Sequence, residues 1–141
     1  MPLIRVDMIE GRRPDQMKAL LDAIHRALIA AFKIPVRDRY QIVHEHPPSQ
    51  FVVEDTGLGI TRTRSCVVIQ VTTRPRELEA KETFYQLLCR ELEATCGLSP
   101  SDVVVSIVTT TDEDWSFGNG RAQFLTGELT SERSLTDTIV Q

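Results

Sequence analysis

The sequence predicts an α+β fold: two β-α-β units in tandem, forming a four-stranded mixed sheet with two helices on one face. Three observations carry this expectation. Strand-like stretches at 2–8 and 66–72 are each followed by a turn and a long segment of helical periodicity. Each helical segment stops at a breaker, Ile34-Pro35 or Gly97, beyond which another strand pattern begins. The second half thus repeats the plan of the first at an offset of roughly 65 residues, and each unit should cross over right-handed.

In chain order, Pro2 to Met8 reads as a strand whose apolar residues Leu3, Val6 and Met8 begin at once. Glu10-Gly11-Arg12-Arg13 is a turn, and Pro14 suits a first helical turn. From Pro14 to Phe32, residues Met17, Leu20, Leu21, Ile24, Leu28, Ala31 and Phe32 recur at helical spacing. Arg39 to Glu45 alternates as a strand, with Tyr40, Ile42 and His44 on one face, until Pro47-Pro48 stops it. Gln50 to Glu54 is apolar enough to suggest a short further strand. Thr56-Gly57-Leu58-Gly59 is a loop.

In the second half, Cys66 to Thr72 is β-branched and reads as a buried strand. Glu77 to Thr95 is helical, with Phe84, Tyr85, Leu88, Leu92 and Cys96 on one stripe and Gly97 as its stop. Ser99-Pro100-Ser101-Asp102 is a turn before a last strand, Val103 to Val108. Asp114 to Gly120 is a glycine-bearing loop that holds the only tryptophan. One domain is expected over 1–129, with halves at about 2–46 and 65–109. The polar stretch 130–141 is expected to be a tail. A sheet with two open edges and one bare face should be covered by further copies of the chain, most simply in a closed ring.

A chain of 141 residues, 41% of them apolar, can bury a substantial core. The net charge of −4 comes without any cluster of Lys and Arg, which argues against a nucleic-acid partner. No apolar run approaches the ~20 residues needed to cross a bilayer. The N-terminus lacks the layout of a secretory signal. Cys66, Cys89 and Cys96 are odd in number and read as buried thiols of a reducing compartment. A cytoplasmic location is the expectation.

The chemistry-bearing candidates begin at Pro2. Initiator methionine is usually removed before a small residue, and removal here would leave a prolyl secondary amine. An α-amino group ordinarily titrates at roughly 7.7–8.0, so it can serve as acid, base or nucleophile. Arg74 and Arg76 follow a strand with Pro75 stiffening the backbone between them. They read either as a two-guanidinium fork for an anion or as a solvated pair at a helix start, where the dipole disfavours cations. Asp38 reads as a turn aspartate beside arginines or as the carboxylate partner of a charged site. His44 and His46 share a strand face, but no third ligand completes a metal set. Trp115, Phe117 and Phe124 either fold onto the core or line a pocket.

Several segments together resemble the tautomerase superfamily and, within it, the malonate semialdehyde decarboxylase family. They are Pro2 itself, Arg37-Asp38-Arg39-Tyr40-Gln41, Glu54-Asp55-Thr56-Gly57-Leu58-Gly59, Arg74-Pro75-Arg76, Phe84-Tyr85-Gln86-Leu87-Leu88, Asp114-Trp115-Ser116-Phe117-Gly118 and Phe124-Leu125-Thr126-Gly127. The resemblance implies a homotrimer and a cofactor-independent active site at the amino-terminal proline. It carries catalytic roles onto Pro2, Asp38, Arg74 and Arg76, and an apolar substrate pocket onto Trp115, Phe117, Phe124 and Leu129. It implies decarboxylation of 3-oxopropanoate, with hydratase behaviour as a side activity. Tautomerase or 3-haloacrylate dehalogenase chemistry on the same scaffold is the alternative, and a trimeric binding module without turnover is another. His44, His46 and the tail have no place in the family pattern.

Overall fold

The structure, a computed structural model, describes residues 1–129. Strand β1 (Leu3–Ile9) buries Ile4, Val6 and Met8 on one face. Helix α1 (Pro14–Phe32) then crosses to β2 (Tyr40–His46). Strand β3 (Val67–Thr73), helix α2 (Leu78–Cys96) and β4 (Val103–Thr109) repeat the unit. The sheet order is β2-β1-β3-β4. Strands β1 and β2 are parallel, as are β3 and β4, while β1 and β3 run antiparallel at the centre. The mixed four-stranded sheet expected from the sequence is therefore present.

Both helices lie on the face formed by Ile4, Val6, Met8, Val67, Ile69 and Val71. Leu20, Ile24 and Leu28 of α1 and Phe84, Leu88 and Leu92 of α2 complete the core. The Phe32 and Phe84 rings, 5.3 Å apart, join the helices. Each such side chain contributes ~1.5–3 kcal/mol when fully buried. Truncating Ile69 to Ala would cost about 2–5 kcal/mol through the cavity left behind.

Local chemistry sets the ends. Pro14 occupies the first turn of α1, and Gln16 Oε1 accepts the Arg13 backbone N–H at 2.9 Å. Helix α2 ends at Gly97, whose φ of 63° is left-handed. The elements begin one residue later than expected except α1 and β4. The suggested strand at Gln50–Glu54 is absent. Pro48–Gln50 forms a short 3-10 turn, and the chain then runs irregularly to β3. Edge strand β2 already has its single neighbour, β1, and Pro47-Pro48 turns the chain away from its free edge. The expected tail at 130–141 lies outside the described residues.

Candidate active site

Strand directions decide which loops meet. Leu3 stands opposite Tyr40 in the parallel pair and opposite Thr72 in the antiparallel pair, while Thr73 stands opposite Thr109. The starts of β1 and β2 and the ends of β3 and β4 therefore share one end of the sheet. Pro2, Asp38, Arg74 and the tryptophan loop issue from those four strand ends.

Pro2 is buried, and Met1 before it is only 6% exposed. With Met1 attached, the Pro2 nitrogen is part of a peptide bond and carries no proton. Asp38 is 5% exposed, a degree of burial unusual for a carboxylate. Its backbone N–H donates to Pro35 O at 3.1 Å, closing the turn that leads into β2. Behind that turn, the buried His25 of α1 hydrogen-bonds through Nε2 to Val36 O. Burial lowers the His25 pKa, which favours the neutral ring.

The two arginines are anchored separately. Arg74 Nε donates to Asp112 Oδ1 at 2.8 Å, and its guanidinium carbon lies 4.2 Å above the Phe124 ring. Arg76 Nε donates to Thr73 Oγ1 at 3.1 Å and Nη1 to Phe32 O at 3.3 Å, with its guanidinium 4.7 Å over the Phe32 ring. The mismatch with the α2 dipole suggested by the sequence is resolved by this second contact. Arg76 is turned to the last turn of α1, where free carbonyls favour a cation.

The aromatic residues stack in a continuous series. Trp115 lies parallel to Phe117 at 5.4 Å, and Phe117 meets the buried Phe124 edge-on at 5.5 Å. Tyr40, at the start of β2, approaches Phe117 at 5.9 Å. Polar bonds fix the series: Trp115 Nε1 donates to Thr110 Oγ1 at 2.7 Å, and Gln123 Oε1 accepts the Phe117 N–H at 2.9 Å. Thr110 is in turn tied to β3, its N–H donating to Thr73 O at 2.8 Å. Leu129 is half-buried beyond a one-turn helix, α3 (Gln123–Thr126), and its N–H donates to Gln123 O at 3.0 Å. An apolar wall thus runs from the Asp38 turn to Arg74.

His44 and His46 lie towards the opposite end of β2. His46 Nε2 is 2.7 Å from Asp7 Oδ1, and His44 faces Arg5 at 3.3 Å. No group of three or more His, Cys, Asp or Glu suited to a metal occurs among the described residues. Tyr40, Thr110, Asp112 and Gln123 were not singled out from the sequence. Asp112 had no local signal, since it reaches Arg74 only through the β3–β4 pairing.

Two family models, each described as a tautomerase enzyme, match residues 38–118 and 2–60. The chain is 53% identical over 129 residues to probable tautomerase YrdN of Bacillus subtilis (strain 168), covering 92% of this chain and 100% of that protein. This chain belongs to the tautomerase family. A second relative, probable tautomerase YusQ of the same organism, is 29% identical over 89% of this chain and 99% of its own. Among solved structures, malonate semialdehyde decarboxylase in wild-type, mutant and inactivated forms is 51% identical with a TM-score of 0.88, covering 90% of this chain and 98% of the other. FG41 malonate semialdehyde decarboxylase inhibited by 3-bromopropiolate is 42% identical with a TM-score of 0.87, covering 92% and 98%. A fused 4-OT described as a symmetric trimer shares the fold at 22% identity, with a TM-score of 0.72 and coverage of 89% and 98%. No helix among the described residues of this chain is long and apolar enough to cross a membrane.

Proposed function

We propose that the protein decarboxylates malonate semialdehyde (3-oxopropanoate) to acetaldehyde and carbon dioxide, using Pro2 after removal of Met1. The observation that carries this reading is that the segments bearing Pro2, Asp38, Arg74 and the tryptophan loop leave the same end of the sheet. Two decarboxylase structures at 51% and 42% identity support the choice of substrate. Arg74 and Arg76 hold the substrate carboxylate, and the charged Pro2 amine donates a hydrogen bond to the aldehyde oxygen. The bond between the carboxylate carbon and C2 breaks. Its electron pair forms the C2–C3 double bond while the carbonyl π pair moves to oxygen, giving an enolate hydrogen-bonded to the charged amine. A proton from solvent then adds at C2 to give acetaldehyde.

Holding the carboxylate tightly does not itself accelerate a reaction in which that charge disappears. The clamp contributes orientation, aligning the breaking bond with the carbonyl π system. The wall of Trp115, Phe117, Phe124 and Leu129 receives neutral carbon dioxide. Asp38 supports the positive charge on Pro2 and can direct a water at the aldehyde or at an alkyne analogue, which is hydratase behaviour. No cofactor enters the scheme. We assign residues 1–129 to one catalytic domain, a homotrimer as the assembly, and the cytoplasm as the location.

The test combines intact mass with assay. Active protein should lack Met1 and release carbon dioxide from 3-oxopropanoate, and 3-bromopropiolate should inactivate it. A fully active preparation that retains Met1 would end the role of the amine. The names of the B. subtilis relatives favour a second reading, tautomerisation. Turnover of phenylpyruvate with none of 3-oxopropanoate would establish it.

A further inference from the structure

The internal repeat builds a second polar end on the sheet. Opposite the Pro2 end, a cavity of about 590 Å³ is bordered by Glu10, Arg12, Asp15, Arg64, Cys96 and Leu98 among others. Its main features correspond to those of the first site. Arg12 immediately precedes the N-cap of α1, as Arg76 precedes that of α2. Arg76 reaches the last residue of α1, and Arg12 lines the cavity beside Cys96, the last residue of α2. Asp102 is buried just ahead of β4, as Asp38 is ahead of β2.

Arg12 is a half-buried cation, and burial lowers its pKa. Nη2 donates to Ser65 O at 2.7 Å and Nη1 to Met8 Sδ at 3.6 Å. It forms no ion pair among the described residues, unlike Arg74 of the first site, which holds Asp112. Asp102 and Glu45 favour the Arg12 charge from a distance, but the carboxylates around it are hydrogen-bonded to other groups. Asp102 accepts from Thr63 N at 2.7 Å and Thr63 Oγ1 at 2.6 Å, Asp15 pairs with Arg13 at 3.2 Å, and Glu45 accepts from Gly11 N at 3.4 Å. Glu10 is exposed at the rim. A partly desolvated guanidinium with donors to spare beside a cavity is stabilised by an incoming anion.

We propose that this cavity is a second anion site, which takes a small carboxylate on Arg12 with Arg64 at its mouth and binds it without turnover. The choice of a carboxylate rests on the role given to Arg76 above. Turnover is excluded because the start of β3 is internal peptide and brings no amine. Cys66, there, is buried with its thiol pKa pushed up, so it supplies no thiolate.

Malonate, a non-reacting dicarboxylate, is the probe. Calorimetry on the intact protein should show two malonates per chain. Arg12→Gln should abolish one binding event while leaving kcat/KM for the reaction within about two-fold, and Arg76→Ala should abolish the other. In the wild-type protein, malonate should shift the backbone amide resonances of Gly11, Arg12 and Gly97, a readout that does not depend on a variant folding. Binding that is unchanged in Arg12→Gln, or shifts confined to the Pro2 end, would each overturn the proposal, whereas a single malonate lost in Arg12→Gln would keep the second site and remove the first. Failure to decarboxylate 3-oxopropanoate would refute the reaction alone and leave an Arg12-dependent binding event standing.

Discussion

Asp112 fixes the direction of Arg74. The carboxylate takes Nε at 2.8 Å, which leaves the outer edge of the guanidinium, with its two Nη groups, for a ligand. Arg74 is 21% exposed and Asp112 45%, so the pair is partly screened and adds little to stability. Its value is geometric.

Asp112→Ala should therefore lower kcat/KM for 3-oxopropanoate by about ten-fold through misplacement of Arg74, with the melting temperature nearly unchanged. Asp112→Asn, which keeps an oxygen acceptor, should recover part of the loss. Equal activity in wild type and Asp112→Ala would show that Phe124 stacking alone positions the arginine.

Arg76 should behave differently, because it also serves the end of α1. Removing it takes a cation from the Phe32 carbonyl and should cost about 1 kcal/mol of stability. Its loss from the proposed carboxylate clamp should cost a further ~2 kcal/mol or more in kcat/KM, about 30-fold. Arg76→Lys separates the two effects. A lysine keeps the charge near the helix end but loses the planar fork, so stability should recover while activity stays low. Full activity in both Arg76→Ala and Arg74→Ala would reduce the pair to structural contacts.

His25 predicts a pH dependence of the fold. Burial lowers its folded pKa below the ordinary 6.5, so the unfolded chain binds the proton more readily. Its contribution to stability is fully present above 6.5 and is lost as pH falls from there towards the lower folded value. The Val36 carbonyl it holds belongs to the segment that carries Asp38, so that segment should loosen first. Denaturation midpoints compared with His25→Gln isolate the effect from the carboxylates. The wild-type advantage should shrink as pH drops below 6.5. A constant difference across that range would remove His25 as the titrating group.

The elements were legible where punctuation was strong. Pro14 and Ile34-Pro35 bracket α1, and its expected span agrees with Pro14–Phe32. Gln50–Glu54 misled because apolar composition alone does not supply a pairing partner. At the candidate site, residue types were readable but contacts were not. Arg74 and Asp112 are 38 positions apart and meet only because β3 and β4 run parallel. Tyr40 read simply as a residue on a strand face. Its packing on Phe117 depends on a loop whose path is set by Gln123, which accepts from Phe117 N and donates to Gly118 O at 2.7 Å. Arg76 could not be assigned to the end of α1 before the helices were known to pack side by side.

The last prediction concerns the charge on Pro2. Asp38 is buried at the turn into β2, whose first residue stands opposite Leu3, the neighbour of Pro2. A carboxylate there favours the protonated amine and raises its pKa, while Arg74 and Arg76 act in the opposite sense. In the reaction proposed here the protonated amine is the active form, and activity is lost at high pH as it deprotonates. Asp38→Asn removes the negative charge, so the amine pKa should fall and the basic limb of the pH–rate profile should move to lower pH. If Pro2 instead formed an iminium, the neutral amine would be the active form. The same substitution would then move the acidic limb down, and borohydride with substrate would trap an adduct on Pro2. Treatment of wild-type protein with 3-oxopropanoate and borohydride should leave the N-terminal peptide at its unmodified mass. A trapped peptide would replace the charged amine with the covalent route. An unchanged profile in Asp38→Asn would leave Asp38 as the residue that shapes the turn.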